Sequence, residues 1–210
     1  QKAALAYVSS PKKVAAHSFY PFITYTSVVL KYRLDNDRGV FLKNPKPRPI
    51  SYSAHLDSHI YSYYCFLLSQ LYEKELLRHG LHTSVLAFRS VDGKSNIEFA
   101  HDAFCEIKSK GECCVLAFDV EKFFERLDHS RLKTAWAKLL NVGKLPADHF
   151  AVFKAITKSS RVDKVALYNK LGVSIYNPRV ENKRLCSAKQ FRDDVRGGGL
   201  IATNPEVRGI

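Results

Sequence analysis

The stretch Phe118-Asp119-Val120-Glu121-Lys122-Phe123-Phe124 constrains this chain more than any other. It closes a short apolar run, Cys113 to Val120, whose Val, Cys and Phe residues favour a buried strand. Lys110-Gly111 supplies the turn that opens the run. An Asp at the mouth of such a strand is costly to bury unless something charged, usually a metal ion, sits against it. Two-metal phosphoryl-transfer enzymes present a first carboxylate in this way. The alternative is an Asp that caps a turn after an edge strand. Phe124, five residues on, is placed to form a floor under an incoming sugar, and Asp128 is an acceptor suited to start the helix from Ser130.

Charge narrows the partner. The 210 residues carry 33 Lys and Arg against 20 Asp and Glu, a formal charge of +13. That balance favours a polyanion, nucleic acid being the commonest, over the alternatives of a membrane surface or a merely basic soluble protein. No stretch reaches the length of a transmembrane helix, and no N-terminal segment has signal-peptide anatomy. Cys65, Cys105, Cys113, Cys114 and Cys186 are odd in number and form no CxxC, which reads as free thiols in a reducing, cytoplasmic compartment. The sequence contains no Met, so Gln1 is not expected to be the native start.

Along the chain, Phe22 to Leu34 and Val40 to Lys43 read as extended segments of a small basic subdomain, with turn signals at Asp35-Asn36-Asp37 and Asn44-Pro45. A long helix follows from about Ala54 to His79, with Leu56, Ile60, Tyr64, Leu67 and Leu71 at helical spacing and Gly80 as its C-terminal cap. Ser95-Asn96-Ile97-Glu98 is a capping box, and Ile97, Ala100, Phe104 and Ile107 form the apolar stripe of the helix it opens. A helix from Ser130 ends at Asn141 and Gly143, and Pro146 suits the first turn of another that runs to about Ser159. From Arg161 onward the pattern is weak. Helices flanking strands in this order predict an α+β fold with an antiparallel sheet.

Three lesser motifs fall to simpler readings. His55 and His59 stand at i and i+4, but no Glu follows His55 and no third ligand is evident. Gly93-Lys94-Ser95 lacks the upstream Gly of a P-loop and reads as a helix start. Cys113 and Cys114 are neighbours on a strand and point to opposite faces.

The string FDVEKFFERLDHSRL resembles motif A of reverse transcriptases, especially bacterial ones related to retrons and group II intron enzymes. KPRPI before a long helix is similar to the fingers segment of that family, and AFRSVDGKSNIEFA to its arginine-bearing loop and capped helix. Asn204-Pro205-Glu206-Val207-Arg208-Gly209-Ile210 looks like the lead-in to motif B. Within the family, the likeness is most to the defence-associated reverse transcriptases. The resemblance implies right-hand polymerase fingers over residues 1–110 and a partial palm over 111–210, helices packing on an antiparallel sheet. It implies RNA-directed DNA synthesis with two Mg²⁺ ions, on an RNA template with a DNA primer and dNTPs, an anti-phage role, a noncoding RNA as a further partner, and no membrane.

Residue by residue, the resemblance makes Asp119 the catalytic metal ligand, with the Val120 carbonyl as a second ligand. Phe124 falls at the steric gate against a ribonucleotide 2′-hydroxyl. Lys46 and Arg48 fall where fingers touch the triphosphate, and Arg89 and Lys94 where nucleic acid runs. The family also requires a later Asp pair in a YxDD-type hairpin. Phe191-Arg192-Asp193-Asp194 mimics it, but its flanks are polar and it precedes the motif B lead-in, so it is not expected to hold metal. The chain is expected to be the front of a longer enzyme. The competing expectation is a basic nucleic-acid-binding module of polymerase-like shape without turnover.

Overall fold

A computed structural model of the chain describes residues 2–35, 38–89, 93–121, 123, 126–176 and 184–203. Two short helices, α1 (Lys2–Val8) and α2 (Pro11–Ala15), precede a long hairpin of β1 (Phe22–Asp35) and β2 (Val40–Tyr52). There follow α3 (His55–Arg78), α4 (Asn96–Ser109), α5 (His129–Leu139) and α6 (Ala147–Thr157). Then come β3 (Ser160–Asp163), α7 (Lys164–Leu171), α8 (Ala188–Gln190), a π-helical turn (Phe191–Arg196) and β4 (Ala202–Thr203). The class is α+β, as expected. The sheet, in order β2-β1-β3-β4, is mixed rather than antiparallel, because β3 runs parallel to β1. Strand β2 and helices α3 to α6 lie between β1 and β3 in the chain, and so long a crossover permits a parallel neighbour.

The hairpin departs from expectation at its second strand. Asn44-Pro45 is not a turn: β2 continues through Lys46-Pro47-Arg48-Pro49-Ile50 to Tyr52, in unbroken register with β1. Pro has no N–H, so within a sheet it is confined to positions whose amide faces away from the neighbouring strand. Pro45, Pro47 and Pro49 recur every second residue on the edge strand, which places all three missing donors on its outer side.

Caps follow the sequence closely. Ser95 and Glu98 form the capping box of α4, and Asp128 accepts from the amides of Ser130 and Arg131 at the start of α5. Gly80 and Asn141 take positive φ after α3 and α5. Leu81 then donates its amide to the Leu76 carbonyl, and Val142 to that of Ala137.

One core joins Val8 and Val14 to Ile60 and Tyr64 of α3, Trp136 of α5, and Val152 and Phe153 of α6. Residues on both sides of position 110 thus share it. Full burial of side chains such as Ile60 and Val14 is worth about 1.5–3 kcal/mol each. The more deeply buried acid of this body is well partnered. Asp57, 1% exposed, accepts from His17 Nε2 at 2.8 Å and from the Tyr20 amide at 2.8 Å, while His17 Nδ1 meets the Tyr7 hydroxyl at 3.0 Å. A second core under the sheet packs Val162, Leu167, Tyr168 and Val195, with Ile23 against them.

Two expectations fail here. Cys113–Val120 forms no strand: residues 113–120 are all exposed and join no ladder, Phe118 being 90% exposed. A strand needs a hydrogen-bonded neighbour, and no described strand pairs with these residues. The apolar stripe expected on α4 also faces outward, Ile97 and Phe104 both being exposed, and Phe99 is the residue this helix buries.

Candidate nucleic-acid interface

Beyond Thr24, β1 leaves β3 behind, and the hairpin runs on as a two-stranded ribbon among the described residues. Side chains alternate across it, so the register defines its two faces. Lys46 and Arg48 lie opposite Val29 and Ser27 and therefore share one face, with Tyr25, Lys31, Ile50 and Tyr52. The other face carries Pro45, Pro47 and Pro49 with Leu30, Val28 and Thr26. Lys46 and Arg48 are exposed, and neither pairs with a described carboxylate. Between Phe22 and Tyr52 the sequence has two acidic residues, Asp35 and Asp37, against Lys31, Arg33, Arg38, Lys43, Lys46 and Arg48.

At its base the basic face meets aromatics that sequence reasoning missed. The Tyr25 and Tyr52 rings meet edge to face at 6.2 Å between centroids. Lys164, the first residue of α7, lies 5.0 Å from the Tyr25 ring centre and 5.5 Å from that of Tyr168. The Tyr52 and Tyr168 hydroxyls are 3.5 Å apart. Burial, and then this hydroxyl pair, push the Tyr52 phenol above its ordinary range. Tyr25 and Tyr52 remain partly exposed, so this edge of the face offers ring surface beside positive charge. Their signal in the sequence is indirect. They lie opposite Ile50 and Ile23, outside any motif, and become neighbours only through the hairpin register.

The other expected contacts are placed differently. Arg89, expected beside nucleic acid, is engaged within the chain. Its Nε and Nη2 bind Glu73 side on, its Nη1 binds the carbonyls of His82 and Val85, and its side chain is 4% exposed. It is a staple that holds the loop after α3 onto that helix, and the guanidinium keeps Glu73 below the usual carboxylate range. Lys94 stays near the surface but pairs with Asp102 at 2.7 Å, which holds that carboxyl low.

Asp119 is exposed, as is Val120, so the desolvation that would make a metal partner necessary is absent at this carboxylate. Among the described residues no three His, Cys, Asp or Glu side chains converge to hold a metal ion. Phe124, the expected steric gate, lies outside the described residues. Phe191-Arg192-Asp193-Asp194 begins a π-helical turn rather than a hairpin, with Val195 buried behind it. His55 and His59 touch edge to face on the exposed side of α3. None of the described helices is long and apolar enough to cross a membrane.

Comparison with models of known protein families finds no match, and no curated protein sequence matches the chain.

Proposed function

We propose that this chain is the nucleic-acid- and nucleotide-gripping front of a reverse-transcriptase-type polymerase, of the kind its motif A-like and fingers-like segments resemble. The observation that carries this reading is the basic face of the ribbon. Lys46 and Arg48 stand on one side of a strand whose alternating prolines restrict its backbone, with little opposing acid and with tyrosine rings at one end. Arg48 suits phosphate because its fork donates to two oxygens at once, and Lys46 adds a compact point charge. Ring surface at Tyr25 and Tyr52 suits bases irrespective of sequence. Such a surface holds a polyanion by charge and shape and leaves sequence choice to base pairing.

The test is binding of a labelled RNA template annealed to a DNA primer, measured by anisotropy over a series of salt concentrations. The Lys46→Ala, Arg48→Ala double variant is expected to bind more weakly, its salt slope falling by about 0.9 for each duplex phosphate no longer neutralised. An unchanged affinity and slope would remove the ribbon as the interface.

A second reading, a nucleic-acid-binding module without turnover, is favoured by the exposure of Asp119. Primer extension with Mg²⁺ and dNTPs separates the two. On the polymerase reading the whole protein of which this chain is the front extends the primer, and Asp119→Asn in that protein abolishes extension while template binding persists. Binding without extension, under conditions where the ribbon variant fails to bind, selects the module.

A further inference from the structure

The helical body carries a basic surface of its own. Residues 129–158, which span α5, the loop after it and α6, hold six cations: Arg131, Lys133, Lys138, Lys144, Lys154 and Lys158. The same stretch has one carboxylate, Asp148, which is buried and accepts the Tyr64 hydroxyl. Arg131 pairs with Asp128 at 3.6 Å, but Lys133, Lys138, Lys144 and Lys154 meet no described carboxylate. Packing gathers part of this charge on one face. Helix α6 buries Asp148, His149, Val152 and Phe153, so Phe150, Lys154 and Lys158, at helical spacing, share its outward side. From α5, Lys133 reaches across to Phe150, with Nζ 4.9 Å from the ring centre, which fixes that cation beside the row on α6. Helix α2 packs against α6 and adds the exposed Lys12 and Lys13, and neither α1 nor α2 contains an Asp or Glu.

We propose that this face binds the phosphate backbone of nucleic acid, as a contact surface separate from the ribbon and blind to sequence. The partner is argued from charge and from what the helix has left to offer. Lysines that neutralise phosphates release counterions, and that term alone supplies sequence-independent binding. An ammonium is a compact point charge that meets phosphate in many orientations, which suits a backbone contact rather than base readout. An anionic membrane would be drawn to the same charge, but a surface helix holds a bilayer by burying its apolar side in it. The apolar side of α6 is already occupied, with Val152 and Phe153 packed in the core against α3 and α5. Charge is what remains, and charge suffices for nucleic acid. The proposal rests neither on the ribbon nor on polymerase chemistry.

Anisotropy of the labelled RNA template annealed to a DNA primer, measured with the full chain over a salt series, tests it. The Lys133→Gln, Lys154→Gln, Lys158→Gln variant keeps much of each side-chain stem and removes the charges. Its salt slope is expected to fall by about 0.9 for each duplex phosphate no longer neutralised, with an unchanged far-UV circular dichroism spectrum. A charge-matched variant, Lys74→Gln, Lys108→Gln, Lys189→Gln, neutralises exposed lysines of α3, α4 and α8 and is expected to keep the wild-type slope. Equal slopes in the two variants, both lowered or both unchanged, overturn the proposal, because net charge and not this face would then set binding. Vesicles containing phosphatidylserine give the other arm. If the helical variant loses vesicle binding and keeps nucleic-acid binding, the face belongs to a membrane and the proposal fails. Should the triple variant not fold, Lys154→Gln alone decides: a slope lower by about 0.9 supports the proposal and an unchanged slope overturns it. Normal binding by the Lys46→Ala, Arg48→Ala variant beside a loss in the helical variant would refute the ribbon and leave this surface standing.

Discussion

Tyr64 on α3 donates its hydroxyl to Asp148 on α6 at 2.6 Å, with both residues buried. The bond joins helices from distant parts of the chain inside the main core. Removing the donor alone strands a carboxylate away from water. Tyr64→Phe is therefore expected to destabilise the protein by about 1–3 kcal/mol, more than loss of one exposed hydrogen bond. Urea unfolding monitored by circular dichroism measures this. A shift near zero would mean that Asp148 finds water once the hydroxyl is gone.

His149, next to Asp148, accepts the Trp136 indole N–H at Nδ1, 3.1 Å away. Burial lowers its pKa below the ordinary value of 6.5, despite the opposing pull of Asp148. The unfolded chain thus takes up the proton at higher pH than the folded one. This contribution to stability is complete above about pH 6.5 and is lost as pH falls from there through the folded-state value. The expected result is a Tm that declines between about pH 7 and 5, with a smaller decline in His149→Gln. Trp136 is the chain's single tryptophan, so its fluorescence reports the same transition. Equal pH dependence in the variant would assign the loss to other groups.

Arg89 and the ribbon cations are predicted to separate cleanly. Arg89→Ala should lower Tm and speed amide exchange across residues 81–89, and Arg89→Lys should rescue little, since an ammonium cannot reproduce the fork on Glu73 together with two bonds to carbonyls. Nucleic-acid affinity of folded Arg89→Ala should match the wild type. A loss of affinity equal to that of the Lys46→Ala, Arg48→Ala variant would return Arg89 to the interface.

Asp163 ends β3 opposite Thr24 and caps α7 by accepting from the Ala166 amide at 2.9 Å. Asp163→Ala should cost about 1 kcal/mol, as for other N-cap losses. Asp163→Ser should recover most of it. Since α7 carries Lys164 over Tyr25, the Ala variant should also weaken nucleic-acid binding modestly. Unchanged stability would show that packing of Leu167 and Tyr168 alone fixes the helix start.

Local signals are the readable ones. Ser95, Asp128, Gly80 and Asn141 each act through neighbours a few residues away, and all four stand where the sequence predicts. The prolines around Arg48 read locally as stiffening and as a turn, whereas their two-residue period marks an edge strand only once the partner strand is known. β3 is four residues long and gains its place through Phe22–Thr24 and Ala202–Thr203, both far away in sequence, so no local pattern announces it. The run at Cys113–Val120 shows the converse. Its composition suits a strand, but a strand exists only with a partner, and propensity does not supply one. Of the candidate site, Lys46 and Arg48 are legible because charge and Pro stand out, whereas Tyr25, Tyr52 and Lys164 meet only through folding.

The Asp57 carboxylate gives the first twenty residues a standing that their position at the chain terminus hides. A chain trimmed to begin at Phe19 would keep the Tyr20 amide that serves Oδ2 but lose the imidazole that serves Oδ1. The same cut would strip Val8 and Val14 from the core. What looks like a dispensable leader is the foundation on which the long helix α3 begins.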